Sequence, residues 1–600
     1  MENENLGEFL AGDRIENSPY ELYMKQDMYC QQLCVTQLGR SEKKGTSNNK
    51  MVRAIRKEYH NNWILDNLPA AGIMNEKEGP IYFQGFPVGF QQTEAPYKSY
   101  INNHVNIEVH YHTVETETDS YRIVRFIVEP FSIKHEIDDI DTMDDDEDAG
   151  DEGGEKKKSV KIVDIRNPIR SCDPGKSEKH TTQEMILDGQ HFMQEASGDV
   201  LFTYDVKWIE NKELHWASRW DIYLSMNNMV KPQVHWYSIT NSILVVVVLT
   251  SMISAILVRN LRRDFTRYNR LATDEEKSEE LEEFGWKLVH ADVFRPPSYP
   301  MVLAIACGTG LQITMMAFVT IIFSAIGFLN PSNRGSLLMG VLLCFVLFGG
   351  ANGYTTARLY KTFKGKAWQR ATTLAAVSFP GLCFGIFIIM DILAITQNSS
   401  DAVPFTTILV LLVLWFGIST PLVFLGSYFG YKQDAIEFPV NTSNIPRQIP
   451  DQPWFMSDNF AVFTGGALPF GACFVELYFI MSSVWMDQYY YVFGFLFLVF
   501  LILLITTVEI AFLFNYFQLC AENYHWWWRS FFTAGSVGLY MLCYSVVYFK
   551  NLHTNTFSTY LLYFGYMFLA SITMVIMTGS VGLLSCLFFN KTIYGSIKID

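Results

Sequence analysis

Nine apolar stretches, each long enough to cross a bilayer as a helix, fill the chain from about Trp236 to Asn590. They lie at roughly 237–258, 300–328, 337–357, 371–395, 404–430, 459–485, 490–517, 530–549 and 558–589. About 20 apolar residues are needed per crossing, because no backbone amide can stay unpaired in lipid. The preceding residues follow a different rhythm. Asn106–Tyr111, Tyr121–Val128 and Val200–Trp208 alternate inward and outward side chains, the period of a strand. No long helical period separates them, which predicts an antiparallel sandwich. The pattern therefore predicts a polytopic α-helical membrane protein with nine transmembrane helices and an N-terminal luminal antiparallel β-sandwich. Its divisions fall at 1–235, 236–590 and a tail at 591–600.

Charge sets the orientation. Arg259, Arg262, Arg263, Arg267 and Arg270 follow the first stretch, and Arg358, Lys361, Lys364, Lys366 and Arg370 follow the third. Alternate loops are nearly bare of cations, so the basic loops should be cytosolic, the front domain luminal and the C-terminus cytosolic. A front domain of this size needs a signal to cross the membrane, yet Met1–Asn5 has neither a basic nor an apolar region. The expectation is a signal peptide upstream, with a reverse signal-anchor as the rival. The net charge of −15 excludes a nucleic-acid footprint. Residues 138–158, an acidic and glycine-rich run ending in Lys156–Lys158, read as a solvated loop and not as a calcium site.

Candidate chemistry is sparse. Walker A, H-E-x-x-H, G-x-S-x-G and G-x-G-x-x-G sequences are all absent, so the chain is not expected to be an enzyme, to hold a metal or to need a cofactor. In an oxidising lumen Cys30 and Cys34 are candidates for a disulfide across a short turn, with Cys172 free or the alternative partner. Among the sequons only Asn398 falls in a luminal loop. Asp391 lies near the luminal end of the fourth stretch and needs no special role. Glu476 and Glu509 sit well inside the sixth and seventh stretches, where a carboxyl is a functional candidate by default. No Lys or Arg falls inside any stretch, so neither has an obvious counter-ion. Their depths differ by roughly 14 Å, too far for a dyad. Ion coupling and a polar helix–helix contact are both open readings. Before Glu476, Gly465, Gly466, Pro469 and Gly471 allow close backbone approach and a broken helix, which suits either a transport site or a groove for a foreign transmembrane helix.

Several blocks carry a resemblance. They are Gly12–Glu21, Cys30 with Cys34, Arg122–Ile133, Trp216–Asp221, Gly285–Pro297, Leu468–Gly471 with Glu476, and Tyr516–Arg529. In this order the chain resembles the nonaspanin family (transmembrane nine, endomembrane protein 70 type) over essentially its whole length. The resemblance implies Golgi and endosomal membranes. It implies a role in sorting other transmembrane proteins, notably those with glycine-rich spans, and in adhesion and phagocytosis. It also implies that Lys598-Ile599-Asp600 is a K-x-D/E sorting signal read by a COPI-type coat. The alternative is a secondary transporter or channel using Glu476 and Glu509. Tyr594-Gly595-Ser596-Ile597 fits the adaptor pattern Y-x-x-Φ, but lies too close to the bilayer for an extended peptide to be read there.

Overall fold

A computed structural model describes residues 5–12, 15–38, 50–76, 79–92, 98–113, 120–135, 193–216, 219, 232–268, 285–329, 335–397, 402–485, 493–550 and 557–596. The chain forms two compact units, Glu16–Val230 and Met1–Ile15 with Lys231–Asp600. The front division expected at 1–235 is corrected at its start, since the first fifteen residues belong with the membrane unit. The cause is a short helix, Leu6–Ala11, closed by a reciprocal cap. Asn5 Oδ1 accepts from the Glu8 amide (2.9 Å), and Glu8 Oε2 accepts from the Asn5 amide (2.7 Å). Gly7 meets Gly335 backbone to backbone, and a Cβ on Gly7 would collide with the Gly335 carbonyl.

The β-rich unit is built on one six-stranded sheet: β1 (Met28–Leu38), β2 (Ala71–Glu76), β3 (Gly79–Gln84), β4 (His104–Thr113), β5 (Tyr121–Phe131) and β6 (Gly198–Glu210), in spatial order β1-β6-β4-β5-β2-β3. The three strands read from alternation are β4, β5 and β6. The sheet is mixed, however: β4 pairs with β6 in parallel, as does β5 with β2. Alternation reports which face is buried and is blind to strand direction, so it could not show this. Ile107, Val109, Val128 and Val206 form the fully buried centre.

The Cys30–Cys34 pairing is also corrected. Cys30 is disulfide-bonded and Cys34 is free, so the partner of Cys30 lies outside the described residues. Both belong to β1. Four residues of strand span about 13 Å, whereas a disulfide holds its Cα atoms roughly 4–7 Å apart. The 138–158 run, Asn398 and Lys598-Ile599-Asp600 lie outside the described residues.

Among the described residues nine helices are long and apolar enough to cross a membrane. The first is Pro232–Tyr268, and the second Pro300–Ile326. The third is broken into Ser336–Leu347 and Gly349–Thr362. The fourth is Trp368–Thr396, and the fifth is Phe405–Lys432 with a π-helical turn at Leu414–Ser419. The sixth to ninth are Asp458–Trp485, Phe493–Cys520, Trp526–Phe549 and Phe557–Gly595. The π turn serves the carbonyl that Pro380 leaves free. Pro380 has no N–H to offer the carbonyl of Ala376 one turn back, and Trp415 Nε1 from the π turn donates to that oxygen instead (3.0 Å).

One end of the bundle is closed by a cap. Gly285–Pro297 and Tyr516–Arg529 were two separate sequence signals, and here they are bonding partners, with Ser298 extending the first. The indole N–H groups of Trp526, Trp527 and Trp528 donate in turn to the carbonyls of Val293 (2.8 Å), Arg295 (2.9 Å) and Ser298 (2.6 Å). Buried Asp292 accepts from the Arg295 side chain and from the Arg447 amide (3.1 Å), while Arg447 pairs with Glu522 (2.8 Å). The ninth helix, 39 residues long, runs into this cap. Tyr594 is consequently 1% exposed and donates to the Trp286 carbonyl (2.7 Å). It belongs to the helix and not to a tail at 591–600.

Asp391 was read as a group of no special role at an interface. It is buried, and its Oδ1 accepts from the Val403 amide (2.8 Å), fixing the entry to the fifth span.

Candidate functional site

The candidate residues cluster on the sixth span, and its neighbours decide what each one does. The sixth and eighth spans both start at the capped end and run in parallel. Their contact begins with an ion pair between Asp458 and Arg529 (3.3 Å). The eighth helix starts at Trp526 and so takes in Arg529, 6% exposed, in its first turn, just before the apolar stretch expected from 530. Next come the glycines. A Cβ on Gly465 would strike Thr533, and one on Gly466 would lie 2.7 Å from the backbone of Ser536. Farther along, aromatic pairs take over: Phe470 with Tyr540 (centroids 5.6 Å), Phe474 with Tyr544 (5.0 Å) and Tyr478 with Tyr548 (6.1 Å). Pro469 is buried in the same helix. Gly465 and Gly466 are thus committed to the protein's own eighth span.

Gly471 is different. It is exposed, and a Cβ built on it meets nothing within 4 Å among the described residues. Leu468, Val475 and Tyr478 share its face at spacings of three, four and three residues, each 43–44% exposed. This strip is apolar and has an accessible backbone at its centre.

Glu476 lies on the opposite side of that helix and is 1% exposed. Ser242 of the first span donates to its Oε1, so this carboxyl joins the first and sixth spans. Glu509 is half-buried on the seventh span, and its Oε2 has no hydrogen-bond partner among the described residues.

Two polar clusters escaped the sequence reading. At the break in the third span, Asn352 Nδ2 donates to Gln312 Oε1 (2.9 Å), and Gln312 Nε2 donates to the Phe345 carbonyl (2.7 Å). Between the seventh and ninth spans, Asn515 Nδ2 donates to Asn590 Oδ1 (2.6 Å), beside buried Gln518. Neutral amides inside apolar runs were the available signal. Attention to ionisable groups alone passed over them.

The β-rich unit holds a polar core of its own. Thr203 Oγ1 lies between His104 Nδ1 (2.7 Å) and His135 Nε2 (3.0 Å), and the Cys30 amide donates to Asp205 Oδ1 (2.7 Å). Burial, helped by neighbouring His104, pushes His135 down to about 4. Burial and Arg125 do the same to His110.

Bundle and sheet together define a polytopic membrane protein in which buried carboxyl and amide groups such as Glu476, Gln312 and Asn515 join helices. The model for endomembrane protein 70 matches residues 1–559, and the chain belongs to that family. It is 43% identical to transmembrane 9 superfamily member 10 of Arabidopsis thaliana over 604 residues, covering 100% of this chain and 88% of the relative. It is 38% identical to human member 4 over 614 residues, covering 100% and 89%. It is 39% identical to human member 2 over 622 residues, covering 100% and 86%. No solved structure matches the chain.

Proposed function

We propose that this protein is a sorting receptor of Golgi and endosomal membranes. In this reading it holds other transmembrane proteins as cargo by a helix laid on the Gly471 face of the sixth span. The capped end faces the cytosol, the β-rich unit faces the lumen, and a COPI-type coat reads Lys598-Ile599-Asp600. The protein carries out no catalytic step. The observation that carries this reading is the contrast within one helix. Gly465 and Gly466 are filled by the eighth span, while Gly471 presents bare backbone among exposed apolar side chains. Without a hydrophobic driving force in lipid, such close backbone approach is what draws helices together.

Transport is the second reading, and the partnerless Oε2 of Glu509 favours it. Glu476, hydrogen-bonded and almost fully enclosed, fits a helix clamp better than an ion path. The deciding experiment is co-purification of single-span cargo with glycine-rich spans. Gly471→Leu should lower cargo recovery about tenfold with protein abundance unchanged. Unchanged recovery, together with proton or cation flux in reconstituted vesicles that Glu509→Gln abolishes, would replace sorting by transport.

A further inference from the structure

Three arginines stand in one turn of the first-span helix, just past its apolar run: Arg259, Arg262 and Arg263. The rotation of that helix is fixed by its other face. Asp264 Oδ2 accepts from Trp286 Nε1 (3.1 Å) and from the Tyr516 hydroxyl (2.8 Å), and Leu261 and Phe265 pack against the core of the cap. At 3.6 residues per turn the arginines point roughly 100–160° away from Asp264, on the outer side of the helix. All three are exposed, and none has an ion pair or hydrogen bond from its side chain among the described residues. Of the cations that follow the third span, Lys361 and Arg358 are committed, while Lys364, Lys366 and Arg370 are exposed. Lys361 donates to the carbonyls of Tyr431 (2.9 Å) and Gln433 (2.6 Å), and Arg358 to the Tyr354 hydroxyl (2.9 Å).

We propose that this turn binds the headgroup of a phospholipid bearing a phosphomonoester. Like charges three and four residues apart repel one another unless an anion lies between them. Guanidinium forks match phosphate oxygens in bidentate fashion, and a phosphomonoester brings nearly two negative charges where a diester brings one. The position, directly after Val258 at the end of the apolar run, sets the arginines at headgroup depth. The inference needs no cargo. It rests on the reading that the capped end faces the cytosol only for which leaflet supplies the lipid.

The test uses the full chain in nanodiscs carrying the same lipids in both leaflets, so its result does not depend on orientation. Native mass spectrometry counts the lipids that stay bound. The protein should retain phosphatidylinositol bisphosphate over phosphatidylserine, and soluble inositol trisphosphate should compete only weakly. Arg259→Gln/Arg262→Gln/Arg263→Gln should cut retention about tenfold. Changing all three to Lys should lose most of the preference for the phosphomonoester, because the charge stays and the forks go. Lys364→Gln/Lys366→Gln/Arg370→Gln removes the same charge from exposed positions and should change little. Equal loss in both Gln variants would reduce the effect to bulk charge and overturn the site. Absence of retention by the unaltered chain would overturn it too. Strong competition by the soluble headgroup would overturn the lipid source in favour of a free phosphate ligand.

Discussion

Gly466 and Gly471 sit five residues apart on one helix and have opposite fates. Gly466 lets the eighth span approach until backbone meets backbone, and Gly471 has no neighbour among the described residues within reach of a Cβ. The same contrast runs through the bundle. Gly353 lies against Val423 and Ser427, Gly426 against Gly350, Gly538 against Ser571 and Gly582 against Ala534, whereas Gly385 is open like Gly471. Most glycines here are therefore spent on the protein's own fold, and a glycine-rich segment is no evidence by itself of a docking groove. What marks Gly471 is an open backbone on the same face as exposed Leu468, Val475 and Tyr478.

The largest effect should come from a closed position. Gly466→Leu forces a branched side chain into the Ser536 backbone, which neither helix can vacate without parting. The expected cost is about 3 kcal/mol or more, seen as loss of the monodisperse peak in detergent and a lowered thermal midpoint. A stable, well-behaved variant would show that the sixth–eighth seam is looser than its geometry.

The next effect, in the β-rich unit, arises from enclosing a titratable group. His135 is held near pKa 4 in the fold, against about 6.5 in an unfolded chain. Between those values the unfolded state binds more protons, so stability is complete above about pH 6.5 and falls as the pH drops toward 4. From pH 7.5 to 5 the loss due to His135 is about 2 kcal/mol, with His110 acting in the same direction. The protection factors of the β4 and β6 amides in the full chain, taken against the slower intrinsic exchange at lower pH, should fall over that interval. In His135→Gln the dependence should shrink, and an unchanged pH profile would assign it to other groups.

How much of this was legible beforehand follows from what a pattern can encode. The nine spans and strands β4, β5 and β6 could be read because one face of each element is uniformly apolar or lipid-bound. The membership of Leu6–Ala11 in the membrane unit could not, because it depends on Gly7 meeting Gly335 some 330 residues away. The partnership of Trp526–Trp528 with Val293–Ser298 was half visible: both blocks were singled out, but a donor in one and a carbonyl in the other carry no mark of each other. Cys30 and Cys34 misled because closeness along the chain is not closeness in space within a strand. The Gly465–Gly471 cluster was found as a unit, and only packing could divide it.

A smaller effect tests whether local repair is worth its geometry. Trp415→Phe keeps the ring against its neighbours and removes the donor to the Ala376 carbonyl that Pro380 leaves unserved. Hydrogen bonds between helices in membranes average about 0.6 kcal/mol, so the midpoint should fall only slightly. Restoring the helix's own donor with Pro380→Ala should make the Trp415→Phe change nearly neutral. Independent, additive losses would separate the tryptophan from the proline.

The smallest effect on stability belongs to Gly471→Leu, and this gives the change its value. The new side chain enters open space in a helix where leucine is favoured over glycine by roughly 0.5–1 kcal/mol. It should therefore leave the midpoint within about 0.5 kcal/mol of the unaltered protein, or raise it slightly. Gly466→Leu lowers cargo recovery by removing folded protein, so its recovery per folded molecule should stay constant. Gly471→Leu should do the reverse, with full abundance and a lower recovery per molecule. If Gly471→Leu instead destabilises as much as Gly466→Leu, the open face is already occupied in the membrane, by a second copy or a resident lipid. The contrast between the two glycines would then be one of occupant and not of vacancy.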